Sequence, residues 1–221
     1  MNTQDIKFIT VRVISNILIL GAIAVIALTY GPWAWGNLVL IATKARGVTW
    51  QLSNSGDSGE KSLIRALIDQ KPLAIAPINE EFSIVVPRIG LSVPVVKNVS
   101  IADKKQYLDA LRSGVAHARG SAVPGRSGNV YLFAHSGVDF WELGPYAGSF
   151  NLLNRLTPGD EIMTFYENKR YIYKVVQTEI VKGWDTIPYY RDFVRPMMTL
   201  QTCDPPGTTL NRLLVLAELV E

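Results

Sequence analysis

The pattern of hydrophobic and polar positions begins with a long apolar stretch near the start of the chain. Residues 13–30 are eighteen consecutive positions without a charged side chain, and the apolar character continues to Thr43. At 1.5 Å per residue, a helix over these eighteen positions extends about 27 Å, which approaches the roughly 30 Å hydrocarbon core of a bilayer. We therefore predict a transmembrane anchor and interfacial segment over 13–43, after a short cytoplasmic N-terminus over 1–12.

The residues that follow the apolar core fit a membrane interface. Tyr30, Trp33 and Trp35 lie where an aromatic belt is expected. The Gly31-Pro32 pair is expected to end or kink the helix, because proline removes a backbone donor.

Two further questions concern how this segment is used. A cleavable signal peptide needs a small-x-small site after its apolar core, and Ala22-Ile23-Ala24 fits that pattern but lies inside the run. A retained anchor is therefore favoured. Positive charges flank the run almost equally, so orientation follows from the short N-terminus, which carries no domain. We expect a single-pass protein of the cell membrane whose main domain lies outside the cytoplasm.

The segment 44–80 is predicted to be a linker or stalk that contains a short helix. Residues 53–59 are rich in serine and glycine, which is typical of turns and loops. Leu63, Leu67 and their neighbours Ile64 and Ile68 then recur at helical spacing. This helix is expected to pack on the domain that follows.

From residue 81 to residue 221 the pattern predicts an all-β domain. Short runs rich in valine, isoleucine, tyrosine and phenylalanine are separated by glycine, proline and asparagine turn signals. These runs cover 82–86, 91–96, 129–135, 161–166, 170–180, 197–203 and 212–220. One helix is expected over 102–112. Seven or eight short strands with one or two helices predict a closed or nearly closed β-barrel.

Composition and charge exclude several function classes. The chain is 48% hydrophobic, and its formal net charge of +3 is spread without a Lys/Arg block, which argues against a nucleic-acid partner. Cys203 is the single cysteine, so an internal disulfide is impossible. No Cys/His cluster has metal-ligand spacing, and we predict no structural metal.

Three residues with reactive side chains lie at predicted strand ends. His135 and Cys203 each close an apolar strand, and Arg212 opens the strand after the turn that follows Cys203. A strand end is fixed on one side and open on the other, so it can hold a side chain at a pocket mouth. In such a group a cysteine serves as nucleophile, a histidine as acid and base, and an arginine as a clamp for an oxyanion.

At this point the sequence resembles the sortase family. Residues 199–203, Thr-Leu-Gln-Thr-Cys, match the TLxTC signature of these cysteine transpeptidases, which attach proteins to bacterial cell envelopes. Residues 84–91 resemble the opening strand motif of the family, 128–136 the strand that delivers the catalytic histidine, and 211–213 the strand that delivers the arginine. The resemblance covers 82–221 together with the anchor-and-stalk layout.

The resemblance implies a fold and a reaction. The expected fold is a sortase-like closed β-barrel of about eight strands with short helices. Cys203 is expected to attack the Thr–Gly bond of an LPxTG-like sorting signal and to form a thioester. Arg212 is expected to hold the oxyanion, and His135 to protonate the departing amine. A peptidoglycan precursor or a pilin lysine then supplies the accepting amine, and the first partners are secreted proteins with a C-terminal sorting signal.

Other residues are assigned lesser roles. Thr199, Leu200 and Thr202 are predicted to contact substrate, and Thr202 to add an oxyanion donor. No cofactor is expected, although Asp139 and Glu142 in the segment after His135 are candidate calcium ligands, which some family members use.

Aromatic residues outside the signature are weaker candidates, and the remaining histidine has an ordinary interpretation. Trp141, Trp184 and the Tyr189-Tyr190 pair are candidates for lining a peptide groove, although such residues more often fill a core. His117 is interpreted as structural or exposed.

Two functional alternatives remain open at this stage. A hydrolytic cysteine endopeptidase needs the same acyl-enzyme and ends the reaction with water. A non-catalytic, membrane-tethered interaction module would leave Cys203 inert. Product analysis with and without an added amine distinguishes the endopeptidase from a transpeptidase. The thiol reactivity of the folded protein distinguishes the non-catalytic module from an enzyme.

Overall fold

The computed structural model describes residues 3–53, 62–136, 146 and 148–221. In these ranges the chain forms a long N-terminal helix, a small two-stranded sheet and a closed barrel. The helices are α1 (Thr3–Ala45), α2 (Leu63–Asp69) and α3 (Lys104–Ser113). The strands of the small sheet are β1 (Trp50–Leu52) and β2 (Leu73–Ile75).

Eight strands of the described chain close into the barrel, which confirms the predicted fold class. They are β3 (Phe82–Val86), β4 (Leu91–Val99), β5 (Val115–Ala118), β6 (Gly128–Phe133), β7 (Glu161–Tyr166), β8 (Lys169–Lys182), β9 (Pro196–Asp204) and β10 (Asn211–Leu219). Their order around the barrel is β10-β8-β7-β3-β4-β5-β6-β9. All seven predicted runs lie in or overlap one of these strands.

Strand direction decides which ends meet. β6 and β9 pair in parallel, so their C-terminal ends lie at the same rim of the barrel. β10 is antiparallel to β9, so its N-terminal end lies at that rim as well. The three predicted strand-end residues therefore come from strand ends that share one rim.

The barrel strand that the sequence pattern missed is β5. All four of its residues are buried, so the alternation of apolar and polar positions that marks a half-exposed strand is absent. His117 lies in this strand with no exposed surface. Its Nδ1 accepts a hydrogen bond from the amide of Asn98 at 3.3 Å, and its Nε2 lies 2.9 Å from the carbonyl oxygen of Ala122. His117 is a buried structural residue.

Helix α1 is continuous over 43 residues, which corresponds to about 64 Å at 1.5 Å per residue. Its most apolar window, Phe8–Leu28, is long and apolar enough to cross a membrane, and none of it is buried against the rest of the chain. The helix continues through Gly31 and Pro32, where the sequence predicted an end or a kink, so no end occurs there. A proline removes one hydrogen bond, and the apolar residues on both sides still favour helix.

The last turns of α1 pack on the barrel. Leu40 packs against the barrel core, and the guanidinium of Arg155 donates to Oδ1 of Asn37 at 2.6 Å. Gly36 lies so close to the barrel that a Cβ atom there would be 3.2 Å from Cδ1 of Leu152. The end of the predicted interfacial segment thus contacts the barrel directly.

In its described parts, 44–53 and 62–80, the predicted linker contains two strands besides the short helix. β1 and β2 form a parallel pair that packs on the outside of the barrel. Ile75 clusters with Val85 and Phe165, and the ring of Trp50 packs on this cluster and lies against Gly90, after β3. Apolar burial holds the segment in place, because its large side chains would otherwise face water.

Helix α2 lies where a short helix was expected, but its buried face differs. Ala66 is fully buried, and Leu63 and Leu67 pack beside it. Ile64 and Ile68 are 72% and 70% exposed. Residues 54–61, which hold most of the predicted glycine-serine turn, lie outside the described ranges.

Candidate active site

Cys203 and Arg212 lie opposite each other on neighbouring strands. Cys203 is next to last in β9 and Arg212 is second in β10, and the two are direct partners across the antiparallel ladder. Side chains of opposite residues in such a ladder project from the same face, with their Cβ atoms about 4.5–5.5 Å apart. The strand-turn-strand pattern predicted this pairing.

His135 reaches the same rim from the end of β6. The pairing of β6 with β9 continues past the last residue of β6. The amide of Ala134 donates to the carbonyl of Gln201 at 3.1 Å, and the hydroxyl of Thr202 donates to the carbonyl of Ala134 at 3.1 Å. His135 and Cys203 are the next residues on the two segments, so they lie level with each other at the rim.

A further hydrogen bond joins the two segments beyond the reactive residues. The amide of Gly207, in the turn after Cys203, donates to the carbonyl of Ser136 at 2.8 Å. Since Ser136 directly follows His135, this bond fixes the turn against the histidine segment. Backbone hydrogen bonds therefore hold the two segments together on both sides of the site.

All three reactive residues keep some exposed surface at the rim. His135, Cys203 and Arg212 are each half-buried. The guanidinium of Arg212 donates to the carbonyl oxygens of Asn211 at 3.1 Å and Thr209 at 3.5 Å. None of the salt bridges among the described residues involves Arg212. Its positive charge is thus available to stabilise negative charge at the rim.

Tyr107, on α3, contacts His135 and was not predicted from the sequence. Its ring meets the imidazole of His135 edge to face, with centroids 5.8 Å apart and planes at 86°. Burial raises the pKa of Tyr107, a charge on Cys203 raises this pKa further, and Arg212 lowers it. The Tyr107 hydroxyl therefore lies within electrostatic reach of both Cys203 and Arg212. In a sequence, a tyrosine at helical spacing is interpreted as a core residue, so the pattern gave no reason to assign Tyr107 to the site.

The three residues predicted to contact substrate lie inside the barrel wall. Thr199 and Thr202 are each 3% exposed, and Leu200 has no exposed surface. The hydroxyl of Thr199 donates a hydrogen bond to Oδ1 of Asn129 at 3.0 Å. This differs from the sequence-based expectation, because the residues before Cys203 form a barrel strand whose side chains are occupied there. In this structure they pack within the strand that carries Cys203, and their contact with substrate stays a prediction.

Aromatic and polar side chains of β6, β9 and the segment around Tyr189 pack together beside the site strands. The hydroxyl of Tyr131 donates to Oε1 of Gln201 at 2.6 Å, and the ring of Tyr189 meets that of Tyr131 at 5.5 Å and 75°. Arg191, just after Tyr189, forms an ion pair with Glu179 of β8. Of the aromatic candidates for a peptide groove, Tyr189 therefore packs against β6 through Tyr131.

The other weak candidates divide into exposed and undescribed residues. Trp184 is 81% exposed. Trp141, Asp139 and Glu142 lie outside the described residues, so calcium binding stays a prediction. In the part of the chain that the structure describes, no group of three or more His, Cys, Asp or Glu side chains has metal-binding geometry.

Comparison with known proteins identifies the family to which the chain belongs. The family model of the sortase domain matches residues 84–220, which include the whole rim just described. The chain belongs to the sortase family. Sortases are cysteine transpeptidases, in keeping with a half-buried cysteine set between a histidine and an arginine.

Individual sortases show how far the similarity extends. Sortase SrtE1 of Streptomyces coelicolor is 27% identical over 225 aligned positions, which take in 95% of this chain and 57% of that protein. The chain thus spans less than two thirds of the length of this relative. The crystal structure of sortase C-1 from Actinomyces oris is 30% identical over 65% of this chain and 76% of its own, with a TM-score of 0.53. Clostridium perfringens sortase C, solved with the C-terminal cell wall sorting motif, is 27% identical over 63% of this chain and 69% of its own, with a TM-score of 0.51.

Proposed function

We propose that this sortase is a membrane-anchored transpeptidase in which Cys203 is the nucleophile, His135 the acid and base, and Arg212 the oxyanion clamp. The observation that carries the proposal is the strand register, which brings all three residues to one rim. The half-buried position of Cys203 supports these assignments, as does the lack of a salt bridge to Arg212 among the described residues.

In the first half of the reaction, the thiolate of Cys203 attacks the carbonyl carbon of a peptide bond and an S–C bond forms. The guanidinium of Arg212 stabilises the negative charge on the carbonyl oxygen. The C–N bond then breaks, and the imidazolium of His135 gives its proton to the departing amine nitrogen. The product is a thioester between Cys203 and the new C-terminus of the substrate.

In the second half, an amine attacks the thioester carbonyl. A C–N bond forms, the C–S bond breaks, and His135 takes the proton that the attacking amine loses. The sulfur leaves as thiolate, so the enzyme returns to its starting state. Splitting one amide exchange into two acyl transfers is what a covalent nucleophile offers, and no nucleotide is consumed.

The substrate that we propose is an LPxTG-like signal near the C-terminus of a secreted protein, cut between threonine and glycine. The TLxTC signature supports this choice, as does the similarity to a sortase solved with a sorting motif. The proposed acceptors are the amine of a peptidoglycan precursor or a lysine of a pilin.

We propose a location for the enzyme from α1. Its apolar window is exposed along its whole length, as a membrane-spanning helix requires and a core helix does not allow. In this arrangement α1 crosses the cell membrane once, and the barrel lies outside the cytoplasm against the end of the helix.

A peptide library tests the activity directly. The full chain in detergent micelles is incubated with peptides that vary the positions of an LPxTG-like motif, and intact-protein mass spectrometry reads the trapped acyl-enzyme. We expect adducts on the wild type that retain the residues up to threonine. The Cys203→Ala variant is the control and should form none.

A second arm separates transfer from hydrolysis. A glycine peptide is added to the reaction, and the products are identified by mass. Transfer to the added amine supports a transpeptidase. A product that is unchanged by the amine indicates an endopeptidase instead, and a Cys203 sulfur that reacts no faster in the folded than in the denatured chain indicates a non-catalytic module.

A further inference from the structure

The ring of Tyr107 lies over the end of β6. It stacks on Phe133 with centroids 5.3 Å apart and planes 12° from parallel, and it meets His135 edge to face at 5.8 Å. Phe133 and His135 are two residues apart, so one ring covers both. Phe133 is the last residue of β6, which leaves His135 beyond the regular strand.

Helix α3 presents this ring from a fixed position. Asp103 caps the helix by accepting from the amide of Gln106 at 3.0 Å. The side-chain oxygen of Gln106 accepts in turn from the amide of Ser100 and from the guanidinium of Arg119, each at 3.0 Å. Gln106 is the neighbour of Tyr107, so the turn of α3 that carries the ring is tied to two other parts of the barrel.

The phenol of Tyr107 lies within electrostatic reach of the other two reactive groups. The pKa of its phenol is raised first by burial and then by a charge on Cys203, while Arg212 lowers it. The hydroxyl consequently stays neutral at ordinary pH. Tyr107 therefore contributes shape and a dipole to the site without adding a charge.

This inference rests on the proposed function. We propose that Tyr107 is a positioning residue for His135, and that its ring confines the imidazole beside Cys203 and Arg212. The ring is the operative part, because it forms the contact with the imidazole. Tyr107 itself transfers no proton and touches no reacting atom.

The physical basis is the choice of rotamers open to the imidazole at the rim. His135 has two side-chain torsions, and the backbone hydrogen bonds of Ala134 and Ser136 fix its main chain but not its ring. An aromatic ring fixed on its flank limits the rotamers that the imidazole can reach. Proton transfer needs heavy atoms within hydrogen-bond reach, so a mobile imidazole lowers turnover without weakening peptide binding.

The test compares three variants of the full chain in detergent micelles. Tyr107→Phe keeps the ring, Tyr107→Leu removes it, and Tyr171→Leu is the matched control. Tyr171 is also half-buried, but it pairs with Thr164 at the far end of β8 from the rim. Thermal unfolding and circular dichroism establish that each variant is folded.

Steady-state kinetics with the sorting-signal peptide give the first readout. We expect Tyr107→Leu to lower kcat about tenfold with KM nearly unchanged. Tyr107→Phe and Tyr171→Leu should stay close to the wild type. A loss in Tyr107→Phe as large as in Tyr107→Leu would assign the effect to the hydroxyl and overturn the proposal.

Histidine NMR gives a second readout that needs no substrate. The chain has two histidines, so a His117→Gln variant assigns the spectrum. In the wild type and Tyr107→Phe we expect one set of nuclear Overhauser contacts from His135 to Phe133. In Tyr107→Leu these contacts should weaken as the imidazole averages over rotamers.

The two measurements can overturn the proposed substrate and the positioning role separately. A wild type that does not turn over the peptide, together with loosened His135 signals in Tyr107→Leu, overturns the proposed substrate and supports the positioning role. A folded Tyr107→Leu variant with unchanged kcat and unchanged His135 contacts overturns the positioning role. Equal effects from Tyr171→Leu would also overturn it, since they would show general loosening of the barrel.

Discussion

The hydrogen bond from Thr202 to the carbonyl of Ala134 offers a direct test of how the barrel positions its reactive residues. Thr202 directly precedes Cys203, and Ala134 directly precedes His135. Replacing Thr202 by valine keeps the shape of the side chain and removes only the hydroxyl. We expect Thr202→Val to lower both the stability and the turnover of the enzyme.

The structure sets the size of the stability effect. The bond is 3.1 Å long and buried, and a typical intramolecular hydrogen bond contributes about 1 kcal/mol net. The cost rises toward about 3 kcal/mol if the buried carbonyl finds no other donor. For a chain of this size, each kcal/mol lowers Tm by about 2–4 °C. A displacement of His135 from Cys203 should in addition lower kcat about tenfold.

Thr199 provides the matched control on the same strand. It is equally buried, and its hydroxyl also donates to a residue of β6, the side chain of Asn129 at 3.0 Å. Thr199→Val should therefore lower Tm by a similar amount, while kcat stays near the wild-type value because Thr199 lies four residues before Cys203.

Thermal unfolding followed by circular dichroism measures the stability of both variants, and peptide turnover below the lower Tm measures catalysis. Equal losses of kcat in Thr199→Val and Thr202→Val would refute the reasoning, because turnover would then follow stability alone. An unchanged Tm in Thr202→Val would refute it as well, since the bond would contribute nothing.

Three further predictions concern the clamp, a buried histidine and a close glycine contact. Arg212→Lys should lower kcat/KM about 10²-fold or more, since a point charge cannot replace a planar fork of donors; near wild-type kinetics would exclude the clamp. Burial lowers the pKa of His117 below 6.5, so as the pH falls the unfolded chain takes up a proton before the folded chain does. The free energy of unfolding should therefore decrease as the pH drops below about 6.5. Urea unfolding at pH 7.5 and 5.5 measures this decrease, which should be smaller in His117→Gln than in the wild type. Gly90→Ala should destabilise more than Gly47→Ala, because both glycines have positive φ but only at Gly90 would a Cβ meet the Trp50 ring, at 2.7 Å; equal Tm losses would contradict this.

The sequence predicted the parts of the site that depend on strand order along the chain. Cys203 and Arg212 are joined by one turn, so antiparallel pairing alone places them together. His135 is far away in sequence, and its arrival at the rim depends on the parallel pairing of β6 with β9, which periodicity does not encode. The resemblance to sortases supplied that link.

Other features could not be predicted because tertiary packing decides them. β5 is buried on both faces, which removes the alternation that marks a strand. Thr199 and Leu200 belong to the signature, but the signature does not show that their side chains are enclosed by the barrel. Tyr107 contacts His135 because α3 packs at the end of β6. The position at which α3 packs on the barrel cannot be predicted from the sequence of the helix.

The alternation of side chains along β9 determines where the chain can accept an inserted residue without displacing Cys203. Met198 and Leu200 are enclosed in the core, and Cys203 emerges at an odd position on the other face. One residue added within the strand would reverse this parity and turn the sulfur toward the interior. An addition in the turn at 205–210 would leave the parity intact. Relatives and engineered forms of this enzyme should therefore accept insertions in that turn far more readily than in the strand before it.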